Sequence, residues 1–203
     1  MKLGVVILAA GASVRMGRPK LLLPWGTSTV IVHLLEQWTS LEPAQLAVVM
    51  SEGTATLQAE LDRIEWPCAQ RILNSDPGRG MFSSVQCAAH WDGWTPGLTH
   101  WAISLGDQPL VRTRTLQHLL KFAAEHPEAV CQPERNGRGR HPVILPANVF
   151  AALKTATADD LKQFLVTGGW PTARCPMNDS GLDLDLDEPA DYDRALTEAA
   201  REA

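Results

Sequence analysis

Short apolar runs alternate along this chain with stretches in which apolar residues recur every three or four positions. Residues 3–8, 46–50, 70–73, 100–105, 129–132, 142–145 and 182–186 are too short for free helices and read as strands. Between them, Ile31, Leu34, Leu35 and Trp38 fall on one helical face, as do Leu57, Leu61 and Ile64. Leu116, Leu119, Leu120 and Ala123 repeat that spacing, and so do Leu161, Phe164 and Leu165, with Thr113 and Thr157 placed to cap these last two helices. Glu188-Pro189 opens a further helix, since proline is tolerated in a first turn. Alternating strands and helices predict an α/β fold of three layers, Rossmann-like, with a mostly parallel sheet and helices on both faces. Gly78-Arg79-Gly80 and Asn136-Gly137-Arg138-Gly139-Arg140 read as loops, and neither divides the chain, so one domain over residues 1–203 is expected.

Composition narrows the function without naming it. The 203 residues, 45% of them apolar, suffice for one well-covered core. A net charge of −5 gives no general attraction to nucleic acid or to an anionic membrane. Arg15, Arg18 and Lys20, clustered in an acidic chain, suit a pocket for a small anion instead. No apolar run approaches the roughly 18 residues of a membrane span. Lys2 leads straight into a strand with no secretory signal, and a cytoplasmic protein is expected. The four cysteines, Cys68, Cys87, Cys131 and Cys175, are too scattered for a zinc site or a disulfide framework.

The densest chemistry lies at Leu8-Ala9-Ala10-Gly11-Ala12-Ser13-Val14-Arg15-Met16-Gly17, followed by Arg18-Pro19-Lys20. A strand ends there in small residues, where backbone N–H groups can approach a ligand, and cations flank the bare backbone. That combination makes a nest for a polyphosphate. It is neither a Walker A loop, because five residues separate Gly11 from Gly17, nor a dinucleotide fingerprint, because Ser13 stands where a second glycine is needed. Asp107 closes the strand at 100–105, a place from which a carboxylate holds Mg²⁺ or caps a turn. Period-two alternation puts Asp183, Asp185 and Asp187 on one face, where solvent or a cation must relieve their repulsion. Asn74, Gly80, Met81, Ser83 and Ser84 offer adaptable donors and acceptors to a nucleobase, although the serines could equally cap a helix. Arg140 and His141 precede Pro142 in a loop, where the arginine adds a cation suited to a phosphate.

These blocks resemble, in order and nearly end to end, the nucleotidyltransferases of the molybdenum cofactor family and their sugar-phosphate relatives. The shared signature is Leu-Ala-Ala-Gly, a short variable stretch, Arg-Met-Gly, then Pro-Lys. Leu21-Leu22-Leu23-Pro24-Trp25, Gly106-Asp107-Gln108-Pro109, His141-Pro142 and Asp185-Leu186-Asp187-Glu188-Pro189 continue it. The resemblance implies a nucleotide-diphospho-sugar transferase-like fold. It also implies Mg²⁺-dependent transfer of CMP from CTP to the terminal phosphate of molybdenum cofactor, giving molybdopterin cytosine dinucleotide and pyrophosphate. Leu8, Ala9, Ala10, Gly11, Ser13, Arg15, Met16, Gly17, Lys20, Asn74, Gly80, Ser83 and Ser84 would then bind nucleotide. Arg15, Lys20 and Asp107 would act in catalysis, and Arg140 and His141 would face the acceptor. Asp107 and Asp187, with Asp185 in a lesser part, would hold Mg²⁺, while Asp183 would be solvated. A molybdoenzyme or its accessory protein is the implied partner.

Three positions depart from the family pattern: Arg140 stands for glycine, Glu188 for threonine and Ala190 for glutamate. Ala10, where the guanylyl branch has glycine, favours CTP over GTP. The alternatives are another phosphorylated acceptor such as a sugar or polyol phosphate, a GTP-using guanylyltransferase, a non-enzymatic molybdenum cofactor carrier, or a regulatory nucleotide-binding module.

Overall fold

The computed structural model describes residues 1–202; Ala203, the last residue of the expected domain, lies outside them. The strands are β1 (Leu3–Ala9), β2 (Pro24–Trp25), β3 (Ser28–Thr29), β4 (Gln45–Ser51), β5 (Arg71–Asn74), β6 (His100–Leu105), β7 (Val130–Arg135), β8 (Arg138–Gly139), β9 (Val143–Pro146) and β10 (Thr172–Pro176). The helices are α1 (Val30–Thr39), α2 (Ala55–Arg63), α3 (Met81–His90), α4 (Thr113–Glu125), α5 (Ala147–Ala152), α6 (Leu161–Thr167) and α7 (Pro189–Glu202). The central sheet runs β10-β7-β9-β6-β1-β4-β5, with β8 paired to β7 and a separate β2-β3 hairpin. Pairs β1/β4, β1/β6, β4/β5 and β7/β10 are parallel, and β9 is antiparallel to both β6 and β7. The fold is thus the expected α/β domain with a mostly parallel sheet.

Strand β1 shows why the chain folds this way. All seven of its residues are buried, as a central strand covered on both faces requires. Leu3, Val5, Ile7 and Ala9 point into one core with Ile31, Leu35, Trp38, Leu116 and Leu119, whereas Val6 and Leu8 point into the other with Val85, Val149 and Phe164. One period of two therefore serves two helical layers. Among the described residues, no helix is long and apolar enough to cross a membrane.

Three expectations need correction, and β10 and α5 were not expected. Residues 182–186 are not a strand: Ser180–Asp183 forms a 3-10 turn, and the segment after it belongs to no sheet. Its alternation is real, with Leu182, Leu184 and Leu186 buried and the aspartates facing out, but Leu186 N–H bonds the Asp107 carbonyl rather than a strand partner. The strand actually present is β10, which hid in the sequence because only Cys175 of its five residues is buried. Thr113 is the first residue of α4 rather than its cap, and Asp160, not Thr157, caps α6 by accepting from Gln163 N–H at 2.7 Å. Helix α5 was not foreseen at all.

Asp179 fastens the segment that leads to the aspartates. It is 2% exposed and accepts from Arg112 N–H at 3.0 Å, Thr115 Oγ1 at 2.6 Å and Gly181 N–H at 3.0 Å. Asp179→Ala strips two buried donors and one partly buried donor of their acceptor and should destabilise the fold by about 2–4 kcal/mol. Urea unfolding midpoints measure this, and a change within experimental error would show that the anchor is dispensable.

Candidate active site

The strands β1, β4, β5, β6 and β7 run in one direction, so their carboxyl ends share one edge of the sheet, where ligands of open α/β sheets gather. A cleft of about 550 Å³ opens there, a usual size for a small-molecule site. Leu8, Ala9, Ala10, Gly11, Lys20, Gly80, Ser84, Asp107, His141 and Asp185 line it, together with Ala12, Leu21, Pro77, Gly78, Met81 and Leu105.

The loop after β1 is anchored at its far end. Met16 is buried in the core, so its side chain holds the loop rather than facing a ligand. Gly17 N–H bonds the Ser13 and Val14 carbonyls, and Gly17 sits at φ +68°, which favours glycine. Ser13 Oγ accepts from Lys20 N–H at 3.2 Å, tying loop to lysine. At Gly11 an added methyl would touch no protein atom within 4 Å, so what the missing side chain leaves clear is the cleft itself.

Lys20 then reaches the acids. Its Nζ lies 2.5 Å from Asp107 Oδ2 and 3.3 Å from Asp187 Oδ1, while Arg15 Nη2 lies 2.9 Å from Asp187 Oδ2. Gln108, itself buried, donates to Asp185 Oδ1 at 2.7 Å. Protein crowding raises the Asp185 pKa above the usual carboxylate value, and the charges of Asp107 and Asp187 add to this, against the Gln108 hydrogen bond and Lys20. Among the described residues, no three Asp, Glu, His or Cys side chains converge as a complete metal-ligand set. Mg²⁺ needs only one or two carboxylates alongside phosphates and water, and Asp107 and Asp187, already sharing one cation, fit that requirement. Asp187 does not line the cleft wall, whereas Asp185 does.

On the β5 side, Asn74 Nδ2 donates to both Ser83 Oγ and Ser84 Oγ at 2.9 Å, all three residues being buried. Ser83 Oγ also donates to the Gly80 carbonyl at 2.7 Å and turns inward, so of the two serines Ser84 alone reaches the cleft. Gly80, at φ +89°, starts α3, and the half-exposed Met81 forms a rim with Pro77 and Gly78, two residues for which the sequence indicated no role in the site. Gln108 was likewise quoted without a role; its place beside Asp107 in the Gly-Asp-Gln-Pro block was the available signal.

On the β7 side, His141 Nδ1 lies 3.2 Å from the Ile103 carbonyl, which can only accept, so this nitrogen carries the proton. Arg140 does not extend into the cleft: it pairs with Asp183, which also takes Arg135 Nε at 2.7 Å and Asn136 Nδ2 at 3.1 Å. Asp183 is therefore an anchor for the β7-β8 hairpin rather than a solvated charge.

At the carboxyl edge of a mostly parallel sheet, a small-residue loop, a lysine and carboxylates thus share one cleft. Residues 5–170 match the MobA-like NTP transferase domain, and the chain belongs to that family of nucleotidyltransferases. The crystal structure of a homolog of Mycobacterium tuberculosis Rv0371c, from Mycobacterium sp. strain JC1, is 25% identical, covers 100% of this chain and 98% of its own, and has a TM-score of 0.81. Rv0371c from Mycobacterium tuberculosis, solved as a complex with manganese, is 23% identical with a TM-score of 0.72, covering 97% of this chain and 99% of its own. Among curated relatives, the bifunctional protein GlmU of Alkalilimnicola ehrlichii is 37% identical over 126 residues, 60% of this chain. The match spans only 25% of that relative's length.

Three histidines give the fold a pH dependence. Burial is the largest influence on His33, His100 and His141 and lowers each below 6.5, against hydrogen bonds to backbone carbonyls that raise it. The unfolded chain then binds protons more readily than the folded one below pH 6.5, so stability is full above that value and lost as pH falls through it. Urea midpoints at pH 7.5 and 5.5 should show the lower stability at 5.5, and His141→Asn should flatten part of that slope. Midpoints independent of pH over this range would contradict the assignment.

Proposed function

We propose that the chain transfers CMP from CTP to the terminal phosphate of molybdenum cofactor, releasing pyrophosphate, with Mg²⁺ at Asp107 and Asp187. The observation that carries this reading is the meeting of the bare Gly11 backbone, Lys20 and Asp107 in one cleft, with Asp187 joined to them through Lys20. An acceptor phosphate oxygen attacks the α-phosphorus in line, a P–O bond forms, and the bond to the β-phosphate oxygen breaks. The attacking oxygen is already ionised near neutral pH, so no protein nucleophile or strong base is required. The work left to the chain is alignment and charge neutralisation.

The Gly11 loop amides, with Lys20 and Arg15, hold the triphosphate. Asp107 and Asp187 would hold the metal ion, which would supply charge neutralisation at the α-phosphate. Ser84 and the rim at Gly80 and Met81 take the base. His141 takes the acceptor with the nitrogen left free by its bond to Ile103, and Asp185, held by Gln108, lies between the two halves. A sugar or polyol phosphate remains the second acceptor class, since the resemblance extends to sugar-phosphate relatives.

Pyrophosphate release from CTP with Mg²⁺ and a panel of acceptors tests the reading: molybdenum cofactor should support turnover, and sugar phosphates should not. Turnover with a sugar phosphate alone would move the acceptor to the second class. Asp107→Asn should lose turnover by about 10²–10³-fold, as removal of a transition-state charge partner does, with a far smaller effect on CTP affinity. Wild-type turnover in that variant at saturating Mg²⁺ would remove Asp107 from the mechanism.

Base choice is assigned to Ala10, whose methyl lines the cleft where glycine would leave room for a purine. Ala10→Gly should raise kcat/KM for GTP relative to CTP by the equivalent of about 1–3 kcal/mol, the usual worth of one methylene in a pocket. A parent protein that prefers GTP would overturn the cytidylyl assignment.

A further inference from the structure

We infer that Lys20 is a resident counter-cation standing in the metal position, so that metal ion and triphosphate bind this site only as a pair. The inference rests on the reading of Asp107 and Asp187 as the metal-holding carboxylates. It adds that the protein guards this pair with its own cation whenever nucleotide is absent.

The geometry is specific. The Lys20 ammonium bridges Asp107 Oδ2 at 2.5 Å and Asp187 Oδ1 at 3.3 Å, and its side chain is only 13% exposed. Two carboxylates brought this close repel unless a positive charge lies between them, and in a poorly hydrated place that repulsion is costly. Mg²⁺ binds carboxylate oxygen at about 2.0–2.1 Å, so an ion on the same two oxygens would lie in contact with Nζ. Both cations cannot occupy that position, and the ammonium must leave for the metal to enter.

The lysine is built to leave. Its backbone is held by Ser13 Oγ and by the turn that buries Leu21, while its charge rides on a flexible four-carbon stem. It lines the same cleft as the Gly11 backbone, so phosphates resting on that loop offer the ammonium a new partner. Arg15 differs: it holds the other oxygen of Asp187 from a side chain 65% exposed, where solvent already competes for it.

Three consequences follow from one displaced charge. Metal alone binds weakly, because it must expel an ammonium that has nowhere better to go. Triphosphate alone binds weakly, because drawing Lys20 away strands two carboxylates. Together each satisfies what the other disrupts, and the coupling is reciprocal by linkage.

Mn²⁺ serves as the probe, its free concentration read by electron paramagnetic resonance with no acceptor present. Without nucleotide, Lys20→Met should bind Mn²⁺ about tenfold or more tightly than the parent, an ordinary size for coupling between sites. Lys20→Arg, which keeps the charge, should stay as weak as the parent. Calorimetry in EDTA should show CTP binding Lys20→Met less well than the parent, so one substitution moves the two ligands in opposite directions. Asp107→Asn in the Lys20→Met background should abolish the gain in Mn²⁺ affinity. Lys20→Gln carries the same expectations should the methionine variant melt early.

The outcomes separate the two readings. If Lys20→Met gains no Mn²⁺ affinity while Mn²⁺ binding in the presence of CTP is lost in Asp107→Asn, the carboxylates hold the metal and the counter-cation inference falls alone. If the double variant keeps the gain, the metal binds elsewhere, and the carboxylate reading falls with the inference.

Discussion

The parallel pairing of β1 with β6 is the constraint on which the rest of the site depends. Its register sets Leu8 opposite Leu105, so the Gly11 loop and the Asp107 turn leave the sheet side by side. The pairing is closed by Gly106 N–H on the Leu8 carbonyl at 3.0 Å. A side chain at Gly106 would lie 2.6 Å from that same carbonyl oxygen, so only glycine permits this approach. Lys20 can reach Asp107 because two strands end together; a slip of one residue would exchange the two faces of β1 between the cores and move Leu8 away from Leu105.

Charge balance accounts for the next layer of organisation. The aspartate-rich segment has no sheet partner to hold it, and three separate ties replace one. Asp179 gathers donors from Arg112, Thr115 and Gly181; Asp183 clasps the arginines of the β7-β8 hairpin; and Leu186 N–H binds back to Asp107. Buried leucines between these ties keep the aspartates facing outward. Asp185 and Asp187 thereby reach the same neighbourhood as Asp107 although 78 residues or more of chain separate them. Burial raises the pKa of Asp185 at this convergence, and the charges of Asp107 and Asp187 add to it.

The cleft divides along the sheet. The Asn74-Ser83-Ser84 network under α3 shapes one end, the Gly11 loop and the acids hold the middle, and His141 stands at the other beside the hairpin. Polar groups that looked alike in sequence thus take opposite parts. Ser83 spends its hydroxyl on Asn74 and on the turn that starts α3, while Ser84 keeps contact with the open space. Arg140, in the place where the resembled family has glycine, is committed to Asp183 and leaves His141 to face the cleft.

Much of this was legible in the chain. Burial patterns of period two and of three to four located β1, β4, β6 and the helices α1, α2 and α4, because each covers a face wide enough to need a run of apolar residues. The Leu8–Gly17 stretch marked the loop whose first half lines the cleft, since close backbone approach demands small residues in succession. Residues 182–186 misled for the same reason that β1 was readable: alternation reports which side is covered, and Leu186 satisfies its backbone on a loop carbonyl instead of a ladder. Strand β10 carried too little apolar surface to announce itself. What tertiary structure alone decided was pairing over distance. No local spacing says that Lys20 bridges Asp107 and Asp187, that Asp183 belongs to the hairpin, or that Ser83 turns inward. Hydrophobic periodicity is a property of neighbours in the chain, whereas an ion pair or a buried hydrogen bond is settled only when folding brings its two halves together.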